Sequence, residues 1–204
     1  AANRVKTFFL RMPALSQRFH TALVTGASSG LGRAFADMLL REGLHVVGTS
    51  RDPARLPGHA RFTPLALDLL DPGSLDAALR QLEEAHPGLD LVINNAGSGF
   101  FETFSTCPEE ALQRQLDLLL NCPVKLARRL YPSLERNRGA LVNVSSLAAD
   151  FPLPFMSTYN TAKAGLSGFS RSLMLEARAC GSPVQVLDFQ PGDYHTGFNQ
   201  ALQA

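Results

Sequence analysis

The chain has 204 residues, 45% of them hydrophobic, which suits one domain of ordinary size with a sizeable buried core. Charged residues make up 18% and the net charge is +1, a balance that excludes a nucleic-acid surface or an acidic tail as the organising feature. Three cysteines, Cys107, Cys122 and Cys180, fit neither a disulfide framework nor a metal motif, and no stretch approaches the roughly 18 apolar residues of a membrane span.

Residues 1–20 carry Arg4, Lys6, Arg11 and Arg18, with no acidic residue before Asp37. Such a start reads as an organelle transit peptide, or as a tag or upstream extension with Met12 as the native start. The second is the expectation taken here, giving a cytoplasmic protein with free thiols, an extension over 1–20 and one domain over 21–204. An apolar run at 21–25 then ends in Gly26, and 31–42 has the spacing of a helix closed by Gly43. Further apolar runs fall at 44–49, 62–67, 89–93, 140–144 and 184–189. Helical stretches separate them at 74–86, 108–131 and 157–179.

Strands alternating with helices of ten or more residues imply βαβ units and a parallel sheet. The strands are continuous apolar runs, as expected when helices cover both faces. The expectation is a single-domain, doubly wound, three-layer α/β/α fold of Rossmann type, whose ligands sit outside the carboxyl ends of the strands.

The chemistry-bearing residues cluster at those ends. After the first strand, Gly26, Ser28, Ser29, Gly30, Leu31 and Gly32 form a glycine-rich turn into a helix. Its unpaired N–H groups and partial positive charge suit a pyrophosphate. The second strand ends in Ser50-Arg51. An acidic residue there would accept ribose hydroxyls and repel a 2′-phosphate, whereas a guanidinium can pair with that phosphate, so NADP(H) is expected over NAD(H). Tyr159 and Lys163 are four apart on one helix face, where an ammonium is expected to lower the phenol pKa for proton transfer. Pro123 should kink the helix beside Asn121.

The spacing Thr25-Gly26-x3-Gly30-x-Gly32, with Asn94-Asn95-Ala96-Gly97 after the fourth strand and Tyr159-x3-Lys163, resembles the short-chain dehydrogenase/reductase superfamily over about residues 21–198. The resemblance implies a reaction and a set of roles. Ser146, 13 residues before Tyr159, would donate to the substrate oxygen, while Ser145 reads as a capping or turn serine. Tyr159 would be the acid/base, and Lys163 would hold the nicotinamide ribose. Asn121 would join Lys163 through a water. Asp68 and Leu69 would meet the adenine. Asn95, Ala96 and Gly97 would lie along the cofactor, and Pro191, Gly192 and Thr196 would contact the carboxamide.

His195 as the base is the conflicting reading. No metal is implied. The family pairs its long helices, so a homodimer or homotetramer is expected. Members usually run longer, so the final strand and substrate-covering helices are expected to be missing. Phe151, Leu153, Pro154 and Phe155, with Gly99, Phe100 and Phe101, suggest an apolar wall and a hydrophobic ketone or alcohol as the small-molecule substrate. A cofactor-binding sensor or scaffold without turnover is the alternative, and a purely structural interaction protein would leave the motifs without a use.

Overall fold

In the computed structural model, which describes residues 14–193, six parallel strands form one sheet in the order β3-β2-β1-β4-β5-β6. The strands are β1 (Thr21–Val24), β2 (His45–Ser50), β3 (Phe62–Ala66), β4 (Leu91–Asn94), β5 (Ala140–Val144) and β6 (Gln185–Phe189). The helices are α1 (Gly30–Arg41), α2 (Pro72–Ala85), α3 (Glu109–Leu116), α4 (Cys122–Arg136) and α5 (Ser157–Ala179). The order reverses between β1 and β4, which opens the crevice where ligands of such sheets bind.

Two cores clamp the sheet. Ala36, Leu39 and Leu40 of α1 pack with Ala22, Val24, Val46 and Ile93 on one face. Leu79, Leu126 and Leu130, from α2 and α4, pack with Leu23, Val47, Val92 and Leu141 on the other. This is the expected three-layer arrangement. The strands β1 and β4 are buried almost end to end, as covered central strands must be. Pro64 lies in β3, at a sheet edge where a missing N–H breaks no ladder. Helix α2 starts two residues earlier than its apolar period suggests, because the Asp71 carboxylate caps Gly73 and Pro72 takes the first turn.

Two expectations change. The segment just before β1 is not a loose extension: Phe19 is 7% exposed in the α1-side core, and Asp90 accepts the backbone N–H groups of His20 and Thr21. Burial of one aromatic ring joins residues 15–20 to the domain, while residues 1–13 lie outside the described part. The long helix also does not stop before Pro132. A π-turn over Asp117–Asn121 joins α3 to α4, which continues to Arg136. Cys122 donates its backbone N–H five residues back to Asp117, so the disruption placed beside Asn121 takes the form of a π-turn ahead of Pro123. Pro132 costs one further helical bond, but fully buried Leu130 and Leu134 on either side hold the helix through it. Among the described residues no helix is long and apolar enough to cross a membrane.

Candidate active site

The glycine turn folds tightly against the segment after β4. Gly26 has φ +68°, and a Cβ on it would stand 3.0 Å from the Ala96 Cα. A Cβ on Gly32 would stand 2.2 Å from the Gly26 carbonyl oxygen, so only glycine lets α1 start this close to the turn. Thr25 stitches the two segments. Its Oγ1 accepts the backbone N–H groups of Asn95 and Ala96, each at 2.9 Å, and the Asn95 amide donates to the Thr25 carbonyl at 2.9 Å. Asn94 reaches the other way, donating to the Asn143 side chain at 2.8 Å and to the Pro123 carbonyl at 3.2 Å. The asparagines thus brace β1, β4, β5 and α4 at the switch point.

The start of α1 faces no capping side chain: Ser29 holds the cap position without a side-chain bond to the helix. Ser29 and Gly30 are exposed, while Ser28 and Leu31 are half-buried. A helix N-terminus with free N–H groups, set in a glycine turn at the sheet's carboxyl edge, fits the phosphates of a dinucleotide.

At the end of β2, Arg51 is exposed. Asp52 does not take up its charge in an ion pair; the Asp52 carboxylate accepts the Ala54 N–H at 3.1 Å, and Ser50 Oγ accepts the Asp52 N–H. At the end of β3, one Asp68 oxygen accepts the Leu70 N–H at 3.0 Å, shaping the loop, and Leu69 is buried with its carbonyl accepting the Cys122 thiol at 3.0 Å.

Ser146, Tyr159 and Lys163 come together where β5 ends and α5 begins. Ser146 is extended and caps the short turn Leu147–Ala149 by accepting the Ala148 N–H at 3.1 Å. Its hydroxyl also hydrogen-bonds the Tyr159 phenol. Tyr159 is 8% exposed and Lys163 6%. Lys163 Nζ donates to the Val144 carbonyl at 2.7 Å and lies 5.8 Å from the centre of the Tyr159 ring.

Two expectations are corrected at this point. Burial raises the Tyr159 pKa, opposed by its bond to Ser146, so the expected lowering by Lys163 is not what the chain's own groups produce. The ammonium sits over the ring and is directed to Val144, and burial pushes Lys163 itself down to about 8, against the upward pull of Asp188. The serines also differ from the expectation. Ser146, not Ser145, is the capping serine, while buried Ser145 donates to the Asp188 carboxylate. A backbone turn begins at Ser146 and leaves Ser145 inside the strand layer, which decides their roles.

Asn121 stands in the π-turn, exposed, with its amide donating to Asp117 at 2.7 Å, while Lys163 turns to Val144. The structure places the Asn121 segment against α5 and shows no direct bond between the two side chains. Pro191 accepts the Leu147 N–H at 3.1 Å and so holds its segment beside the serine turn, with Gly192 exposed next to Leu147. Gly97 is exposed at the crevice, where a Cβ would meet Leu119 at 2.8 Å. Thr196 and His195 lie outside the described residues, among which no cluster of side chains fits a metal ion.

The sequence and the fold have close counterparts. A family model described as short chain dehydrogenase matches residues 20–204. The chain belongs to the short-chain dehydrogenase family. A 3-ketodihydrosphingosine reductase of Bacteroides thetaiotaomicron is 33% identical over 177 residues, covering 86% of this chain and 64% of that protein. A serine 3-dehydrogenase of Agrobacterium fabrum is 33% identical over 186 residues, covering 87% and 73%. Among solved structures, a short-chain dehydrogenase from Streptomyces avermitilis superposes with a TM-score of 0.81 at 29% identity, over 91% of this chain and 69% of that one. L-Sorbose reductase from Gluconobacter frateurii, solved with NADPH and L-sorbose, gives 0.80 at 32% identity, over 87% and 71%. The chain therefore spans about two thirds of the length of the relatives it matches.

Within this short-chain dehydrogenase, sequence reasoning missed two side chains that bind the site's segments together. Thr25 was visible only as part of the glycine motif, because its bonds reach 70 residues along the chain. Asp188 lies in an apolar run where a carboxylate has no local meaning, and no sequence signal marks it.

Proposed function

We propose that this chain is an NADP(H)-dependent oxidoreductase acting between a carbonyl and a secondary alcohol, with Tyr159 as acid/base. The observation that carries the reading is the meeting of Ser146, Tyr159 and Lys163 beside a crevice whose glycine turn and helix start suit a dinucleotide. The cofactor supplies the hydride when bound. Gly26, Ser28, Ser29, Gly30, Leu31 and Gly32 would hold its pyrophosphate, and Arg51 the 2′-phosphate. Asp68 and Leu69 would take the adenine, Asn95, Ala96 and Gly97 its middle, and Pro191, Gly192 and Thr196 the carboxamide.

The chain's own residues do the rest. Ser146 donates to the substrate oxygen and fixes it beside Tyr159. Tyr159 gives its phenolic proton to that oxygen as hydride reaches the carbon, and in the reverse direction it accepts the proton from the alcohol. A phenol held above its ordinary pKa keeps its proton near neutral pH, the form reduction needs. Lys163 would hold the nicotinamide ribose, and Asn121 would join it through a water. Exposed Phe101, Phe104, Phe151, Leu153 and Phe155 border the site and favour a hydrophobic substrate. The Glu102 N–H donates to the Phe155 carbonyl, tying the two loops into one rim. In the cell the protein works in the cytoplasm as a homodimer or homotetramer.

The test is titration of NADPH and NADH by cofactor fluorescence, followed by a panel of apolar ketones with the parent and Tyr159→Phe. Tight NADPH binding with Tyr159-dependent oxidation supports the reading. NADPH binding with no turnover of any carbonyl would replace it with a sensor of the same fold.

A further inference from the structure

Outside the motif residues, Asp188, the fourth residue of β6, is 13% exposed at its side chain. Both carboxylate oxygens are engaged. Ser145 Oγ donates to Oδ1 and Ser167 Oγ donates to Oδ2 at 2.6 Å. Arg171 Nε lies 3.7 Å from Oδ2 and its other end pairs with Asp150 at 3.1 Å. Gln190 donates to Ser167 and to Asp150, closing the network toward Pro191. The carboxylate thus joins three elements. Ser145 precedes Ser146 at the end of β5, Ser167 lies one helical turn beyond Lys163 on α5, and Asp188 itself stands on β6.

We infer that Asp188 is a positioning residue, which locks the ends of β5, α5 and β6 together so that Ser146 and the Lys163 ammonium stay in register beside Tyr159. The inference rests on the oxidoreductase reading for its effect on turnover, but not for its effect on Lys163. The charged and titratable groups bearing on the pair are few among the described residues. Tyr159 lies under Lys163, Arg171 touches Asp188, and Asp150 sits behind Arg171. Asp188 is the one carboxylate whose charge favours the Lys163 ammonium, against the cost of burial.

The experiment uses Asp188→Asn, which keeps the shape and removes the charge. Lys163 is one of only three lysines, so its side-chain carbon resonance can be assigned with Lys163→Met and followed against pH. In the variant the Lys163 midpoint moves below its parental value. Turnover of the best ketone falls about tenfold, as expected for slight misplacement of reacting groups, while NADPH affinity is kept. An unchanged Lys163 midpoint in a folded Asp188→Asn overturns the inference. If that variant does not fold, Ser145→Ala removes the tie to the end of β5 while keeping the charge, and parental turnover in it overturns the inference equally. A parent without turnover sinks the oxidoreductase reading alone, since the Lys163 titration still decides the role of Asp188.

Discussion

The crevice between β1 and β4 and the rim made by the loops after β4 and β5 stand along the same carboxyl edge, yet they are held differently. In the crevice, Thr25, Asn94 and Asn95 exchange short bonds with backbone 29 to 71 residues away, and glycines bring main chain against main chain. On the rim, Phe101, Phe104, Phe151, Leu153 and Phe155 are exposed, and Phe155 sits at φ +63°, a strained angle for a bulky residue. A site for one invariant ligand can be built from backbone geometry, whereas a site whose ligand varies is left to side chains on loops. Tyr159 and Lys163 stand between the two, on a long helix.

The sharpest way to separate the regions is Tyr159→Phe. Turnover should fall by about 10²–10⁴ while NADPH titration stays parental, because the proposed role of the phenol is proton transfer. Activity near the parental level would remove Tyr159 from the chemistry.

Lys163 gives the next effect, seen in stability. Its folded pKa is about 8 against an ordinary 10.5. Between those values the unfolded chain holds a proton that the folded chain has released, so stability rises with pH. Below about 8 both forms are protonated and the full cost of the buried ammonium is felt. Denaturant titrations of the cofactor-free protein from pH 8 to 10 should show the parent gaining stability relative to Lys163→Met, with roughly 3 kcal/mol available over the full window. Parallel curves would mean that Lys163 is not poised in this way.

Arg51→Ala probes the proposed pairing of the exposed guanidinium with a 2′-phosphate. Loss of a charged hydrogen bond should weaken NADPH on the order of tenfold to a hundredfold and leave NADH nearly untouched. Equal weakening of both cofactors would show that Arg51 does not read the phosphate.

Gly32→Ala attacks the backbone packing directly. Forcing a methyl against the Gly26 carbonyl should cost roughly 1–3 kcal/mol of stability and impair NADPH binding. Gly58→Ala, where a Cβ meets nothing within 4 Å, is the matched control. The smallest change is on the rim. Phe155→Gly relieves the positive φ and should stabilise the fold by about 1 kcal/mol or less, read as a small rise in Tm, while the KM for apolar ketones rises.

What the amino-acid sequence determined by itself was local. The period of apolar residues marked all six strands and the order of the helices, because burial on both faces leaves a continuous apolar run and an amphipathic helix leaves a repeat of three to four. Glycine spacing and the four-residue step from Tyr159 to Lys163 marked the crevice and put those two side chains on one helix face, since turn geometry and helical rise act over a few residues. Tertiary structure alone decided the rest. It gave the capping role to Ser146 rather than Ser145, carried α4 through Pro132, drew Phe19 into the core, and set Asp188 between Ser145 and Ser167. It also reversed the expected shift of Tyr159, because burial and the direction of an ammonium depend on elements that meet only after the sheet has formed. Those contacts join residues tens of positions apart, and no local pattern encodes them.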